Sequence, residues 1–116
     1  MSALLAAIAG RDQDGLQAML AEDVVFHSPV QTYRGRPQAV RLLVTVGGVV
    51  DDVEVTRELD DVTFFTATVE EHPVDGVLVQ QDGDDGQITE ITLMLRPLAQ
   101  LQAAVARMAR ALAGPG

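Results

Sequence analysis

The sequence predicts an α+β fold: helices first, then a series of paired strands, then one more helix. Three observations lead there. From Leu4 to Val44 apolar residues recur at helical spacing, interrupted by one strand-like run. From Val53 to Arg96 the pattern changes to runs rich in Val, Ile, Thr and Phe, parted by turn residues. After Pro97, residues Leu98, Leu101, Val105, Met108 and Leu112 alternate spacings of three and four, an amphipathic helix.

At 116 residues the chain has the length of one domain, expected over 1–113 with a frayed tail at 114–116. Hydrophobic residues make up 47% and charged residues 22%, the balance of a globular protein. Seventeen acidic residues against eight basic ones leave a formal charge of −9, which argues against nucleic acid or an anionic membrane as partner. The absence of cysteine excludes disulfides and thiolate chemistry. "MSALLAAIAG" is apolar but too short to span a bilayer and lacks a basic start, so a cytoplasmic location is expected.

Ser2 and Asp12 are placed to cap two short helices, the first carrying Leu4, Leu5 and Ile8, the second Leu16, Met19 and Leu20. "DVVFHS" reads as a strand, followed by a polar loop containing Tyr33, Arg34 and Arg36. Pro37 suits the first turn of a third helix, with Val40, Leu43 and Val44 as its apolar stripe and Gly47–Gly48 as its end. "VEVTREL", "VTFFTATV", "VDGVLVQQ" and "ITEITLMLR" are the strands, joined by turns short enough for antiparallel hairpins. Leu93, Met94 and Leu95 run together, so both faces of the last strand need cover, from the terminal helix, a second subunit, or both.

Element order and three local runs carry a resemblance. "LAEDVVFHSPV" followed by "RGRPQAVRLL", then "VDGVLVQQDGDDGQI", then "ITLMLRPL" resemble the nuclear transport factor 2-like superfamily, and within it the SnoaL-like proteins. The resemblance implies a cone: a curved antiparallel sheet packed on three N-terminal helices, here with an additional C-terminal helix. Because this fold hosts many chemistries, it does not name an activity. In the ketosteroid isomerases of this superfamily an aspartate before the proline moves the proton, and a tyrosine and a protonated aspartate stabilise the oxyanion. The corresponding positions here hold Ser28, Leu4 and Val77, so that mechanism is not expected. The Arg–Asp–Asp constellation of the superfamily's epoxide hydrolases finds no matching set of strand positions.

Two residues are candidate acid–base groups. His27 carries an imidazole, the side-chain type most used for proton transfer, but if Phe26 and Ser28 face a cavity, strand parity turns it away. Its competing role is structural, at an interface or bonded to a loop carbonyl. Asp75 shares parity with Val77 and Val79, and in an apolar cavity it would be a perturbed acid or base. Its competing role is a hairpin-end aspartate beside Gly76. Arg96 and Glu90 are expected on the outer face. Metal binding is not expected: His27 and His72 are far apart in sequence, and "DGDDG" departs from a calcium loop. No cofactor signature occurs.

The expected pocket is lined by Leu4, Ile8, Phe26, Ser28, Tyr33, Leu43, Val77, Val79, Ile91, Leu93 and Leu95, and it would take a small hydrophobic molecule. A homodimer on the outer sheet face would cover the second side of the last strand. Binding without catalysis is the leading functional expectation. The alternatives are an isomerase, cyclase or hydrolase on a small hydrophobic carbonyl or epoxide using Asp75 or His27, and a protein-interaction module with a filled cavity.

Overall fold

Residues 2–113 are described in the computed structural model, so the frayed tail expected at 114–116 lies outside the described residues. Along the chain come α1 (Ala3–Ala9), α2 (Gln13–Met19), β1 (Leu20–His27), β2 (Thr32–Arg34) and α3 (Arg36–Val49). Then follow β3 (Asp51–Leu59), β4 (Val62–Val69), β5 (His72–Asp82), β6 (Ile88–Arg96) and α4 (Leu98–Ala113). Both expected caps form: Ser2 Oγ accepts the Leu5 N–H at 3.1 Å, and Asp12 Oδ1 accepts the Gly15 N–H at 3.0 Å.

The third helix passes through Gly47 and Gly48 to Val49 instead of ending at the glycines. A Cβ on Gly47 would stand 1.9 Å from the Ile8 carbonyl oxygen. The glycine is there because the backbone of α1 comes that close to α3, and the close approach holds the helix pair together.

The strands form one curved sheet in the order β2-β1-β6-β5-β4-β3. β3 to β6 make the expected antiparallel meander. β1, however, runs parallel to β6, so the sheet is mixed where a wholly antiparallel one was expected. The intervening α3 and four strands supply the long connection that a parallel pair needs. The segment expected as a loop around Tyr33 contains β2, which pairs with β1 and sets Tyr33 opposite Phe26.

The inner face of the sheet is read from register and burial together. Thr63, Phe65, Ala67 and Val69 of β4 are buried, as are Val74, Gly76 and Leu78 of β5, and Ile91 and Leu93 of β6. Phe65 pairs with Gly76, and Gly76 with Leu95, in one row across three strands. The Phe65 ring lies over the glycine: a Cβ there would be 2.2 Å from Cζ. Asp75, Val77 and Val79 therefore point outward, which reverses the expected parity of β5. On sequence alone two valines outweigh a glycine as inward residues; a ring donated by the neighbouring strand changes that balance.

α4 packs against α3 and the inner side of β4 to β6. Arg107 Nη1 donates to the Val49 carbonyl at 3.2 Å, capping the C-terminal end of α3, and Arg41 Nη2 donates to the Leu112 carbonyl at 3.5 Å. The outer face of β6 is left without a helix, and Met94 is 51% exposed there.

Val69 pairs with His72, so β4 and β5 are joined by Glu70 and Glu71 alone, with φ of 51° and 70°. Two-residue hairpins favour positive φ at both positions, but glutamate adopts it at a cost that Asn-Gly does not incur. Replacing the pair by Glu70→Asn with Glu71→Gly is expected to stabilise the fold by about 1–2 kcal/mol. A denaturant titration checks this; an unchanged midpoint would show that the turn carries no such strain.

Candidate ligand cavity

A cavity of about 240 Å³ lies between the inner sheet face, α3 and α4. Phe26 and Ser28 reach it from β1, Tyr33 from β2, and Leu93 and Leu95 from β6. α3 contributes Leu42, Val46 and Val49, a second apolar stripe beside the expected one of Val40, Leu43 and Val44. α4 contributes Leu101, Ala104, Val105, Met108, Ala109 and Leu112. Val30, Gln31, Val105 and Ala109 are exposed and form its mouth.

Of the residues expected to line a pocket, Phe26, Ser28, Tyr33, Leu93 and Leu95 do so. Leu4, Ile8, Leu43 and Ile91 are instead fully packed into the core, away from the cavity. Val77 and Val79 lie on the opposite sheet face, for the parity reason given above. Leu4 and Val77 consequently do not mark where an oxyanion-stabilising pair would stand. The α4 residues were the ones sequence reasoning missed. Their stripe at spacings of three and four was visible, but a stripe does not say whether it seals a core or leaves a space.

Both candidate acid–base residues face away from the cavity. His27 lies on the outer face, with Nε2 2.6 Å from Glu90 Oε2 and Nδ1 2.9 Å from Thr32 Oγ1. Both of its ring nitrogens are thus occupied in a link across β2, β1 and β6. Asp75 Oδ2 accepts from Arg96 Nη1 at 2.8 Å, directly across β5 and β6. Both partners are more than half exposed, so this pair contributes little to stability.

Ser28 is at the cavity, but its hydroxyl is committed. It donates to the Gln31 carbonyl at 2.8 Å and accepts the N–H groups of Val30 and Gln31 at 3.2 and 3.0 Å. One donor and both lone pairs are used to close the turn between β1 and β2, leaving nothing with which to attack or deprotonate a ligand. No group of three or more His, Asp or Glu residues among the described residues is placed to hold a metal ion. Nor is any helix among them long and apolar enough to cross a membrane.

Fold and site together define a class: α+β proteins whose curved sheet and helices enclose an apolar cavity. A model of the SnoaL-like domain family matches residues 1–91, and the chain belongs to that family, within the nuclear transport factor 2-like superfamily. A steroid delta-isomerase from Pseudomonas aeruginosa is similar at 36% identity and TM-score 0.86, over 96% of this chain and 90% of that one. An uncharacterised bacterial protein with a cystatin-like fold from Silicibacter pomeroyi reaches TM-score 0.91 at 24% identity, over 97% and 84% of the two chains. An LEH-like epoxide hydrolase from M. tuberculosis shares the fold at TM-score 0.65 and 22% identity, over 96% and 90%. No curated protein matches the chain. α4 lies beyond the stretch that the family model matches.

If Ser28 is a turn-closing residue, Ser28→Ala should lower stability by about 1 kcal/mol while ligand affinity changes little. Chemical denaturation and a binding titration on the same preparation check the two halves. Full stability with lost binding would place the hydroxyl on the ligand instead.

Proposed function

We propose that this protein binds a small hydrophobic molecule in the cavity between α3, α4 and the sheet, without acid–base catalysis. One observation carries the reading. The lining residues include no Asp, Glu, His, Lys or Arg, while the residues that would supply proton transfer are paired on the other side of the sheet. A cavity of about 240 Å³ supports ligand binding over an interaction module, for which a filled interior is expected. It is smaller than the ~300–1,000 Å³ that holds drug-sized molecules, so a one- or two-ring compound suits it better than a steroid.

The likeness to the steroid delta-isomerase is what favours the alternative, an enzyme on a hydrophobic carbonyl or epoxide. Its acid–base group would be Asp75 or His27, and neither reaches the cavity. It is set aside in that form.

A thermal-shift series with steroids, aromatic ketones and terpenoid epoxides tests the binding reading. A ligand at a hundredfold excess over its Kd stabilises the native state by about 2.7 kcal/mol. The expected outcome is a dose-dependent rise with the one- and two-ring compounds. Ala109→Trp, which plugs the mouth from an exposed position, should abolish the rise and leave the unliganded midpoint in place. A rise that survives the plug would put the ligand elsewhere.

We also propose that a second copy of the chain covers the outer sheet face. Phe64, Val77, Val79 and Met94 share that face by register, bordered by the Asp75–Arg96 and His27–Glu90 pairs. An apolar strip framed by both signs of charge is self-complementary under two-fold symmetry. Sedimentation velocity should show a dimer that Met94→Glu converts to a monomer; a wild-type monomer at tens of micromolar would remove the proposal.

A further inference from the structure

The cavity is apolar throughout its depth but not at its mouth. Gln31 Nε2 donates to Tyr33 Oη at 2.7 Å, and both residues line the cavity. The bond occupies a lone pair of the tyrosine oxygen, and the hydroxyl proton meets no acceptor among the described residues. Ser28, the other hydroxyl at the cavity, is fully engaged in its turn. The Tyr33 ring is held by stacking on the buried Phe26, with centroids 6.2 Å apart and planes 29° from parallel. The pairing of β1 with β2 fixes that stack, since Phe26 and Tyr33 are direct cross-strand partners.

Depth and polarity therefore run in opposite directions. Leu42, Val49, Leu93 and Ala104 at the bottom are buried and offer no hydrogen bond, whereas Gln31 and its neighbour Val30 are at the surface. We propose that Tyr33 is the ligand-orienting residue, donating its hydroxyl proton to a neutral oxygen acceptor, so that the ligand enters apolar end first and keeps its carbonyl, ester or ether oxygen at the mouth. The inference rests on the binding reading of this cavity and adds the orientation and the polar group to it. A carboxylate is disfavoured: no cationic side chain lines the cavity, and the chain carries a formal charge of −9. Because the oxygen end faces solvent, a substituent extending from it costs nothing, while one added at the apolar end meets the floor of the cavity.

Four naphthalene probes test this by calorimetry: methyl 2-naphthoate, its triethylene glycol ester, 2-ethylnaphthalene, and 2-naphthoate anion. The methyl ester should bind about three- to tenfold more tightly than the hydrocarbon, the range of one neutral hydrogen bond. The glycol ester should match the methyl ester, and the anion should bind more weakly than either. Tyr33→Phe, which retains the ring stack, should equalise ester and hydrocarbon without reducing hydrocarbon affinity. An ester preference that persists in Tyr33→Phe overturns the assignment. A glycol ester that binds tenfold worse than the methyl ester overturns the orientation. Failure of all four probes on the wild-type protein overturns the cavity's ligand role and this proposal with it, whereas hydrocarbon binding equal to ester binding overturns the proposal alone.

Discussion

The ring of Phe65 lying over Gly76 is the contact on which the arrangement of the two sheet faces depends. A side chain at position 76 would exclude the ring, and the ring is what gives the inner face of β5 its apolar cover. Because side chains alternate along a strand, settling one residue settles its neighbours. With Gly76 inward, Val74 and Leu78 join the core, while Asp75, Val77 and Val79 go to the outer face. Cross-strand pairing then carries the decision sideways: Leu95 opposes Gly76 inside, and Arg96 opposes Asp75 outside. The ion pair on the outer face and the apolar floor of the cavity are thus two consequences of one packing contact.

A second constraint concerns cover. Helices α1, α2 and α3 supply a core that includes Leu4, Ile8, Leu16 and Leu43, all at most 3% exposed. They leave the inner face of β6 and one flank of α3 open. α4 spans that opening, but only Ala104 on it is buried. Two arginine-to-carbonyl bonds hold it to the end of α3 and α3 to it. Such a helix roofs a space without filling it, which is how a chain with so few aromatic residues, 3% of the total, retains a cavity. The cavity's size is accordingly set by a helix outside the stretch that characterises the family.

The chemistry of the site follows from this division. Protonatable groups are gathered on the outer face in pairs, His27 with Glu90 and Asp75 with Arg96. In the cavity, polarity is restricted to the turn between β1 and β2, where Ser28 closes the backbone and the Gln31–Tyr33 bond leaves the tyrosine proton and the second Gln31 amide N–H to offer. An interior whose polar groups are neutral and confined to one turn can orient a molecule by hydrogen bonding. The steroid delta-isomerase from Pseudomonas aeruginosa shares this scaffold at 36% identity, and the scaffold by itself does not fix an activity.

Periodicity and turn chemistry by themselves determined the order of the elements other than β2, both short-helix caps, the meander and the terminal helix, because each is set by neighbours in the chain. Phe26, Ser28, Tyr33, Leu93 and Leu95 were expected at the cavity and line it, but on an assumed strand parity that a one-residue slip would have reversed. What tertiary structure alone decided was every choice between near-equal local options. The parity of β5 turned on a ring from β4, and the passage of α3 through two glycines turned on the backbone of α1. The parallel pairing of β1 with β6, and the short strand that sets Tyr33 opposite Phe26, required segments distant in sequence or a turn built by one serine. A single sequence carries no record of which distant side chain will fill or vacate a given space, and cavities are defined by that record.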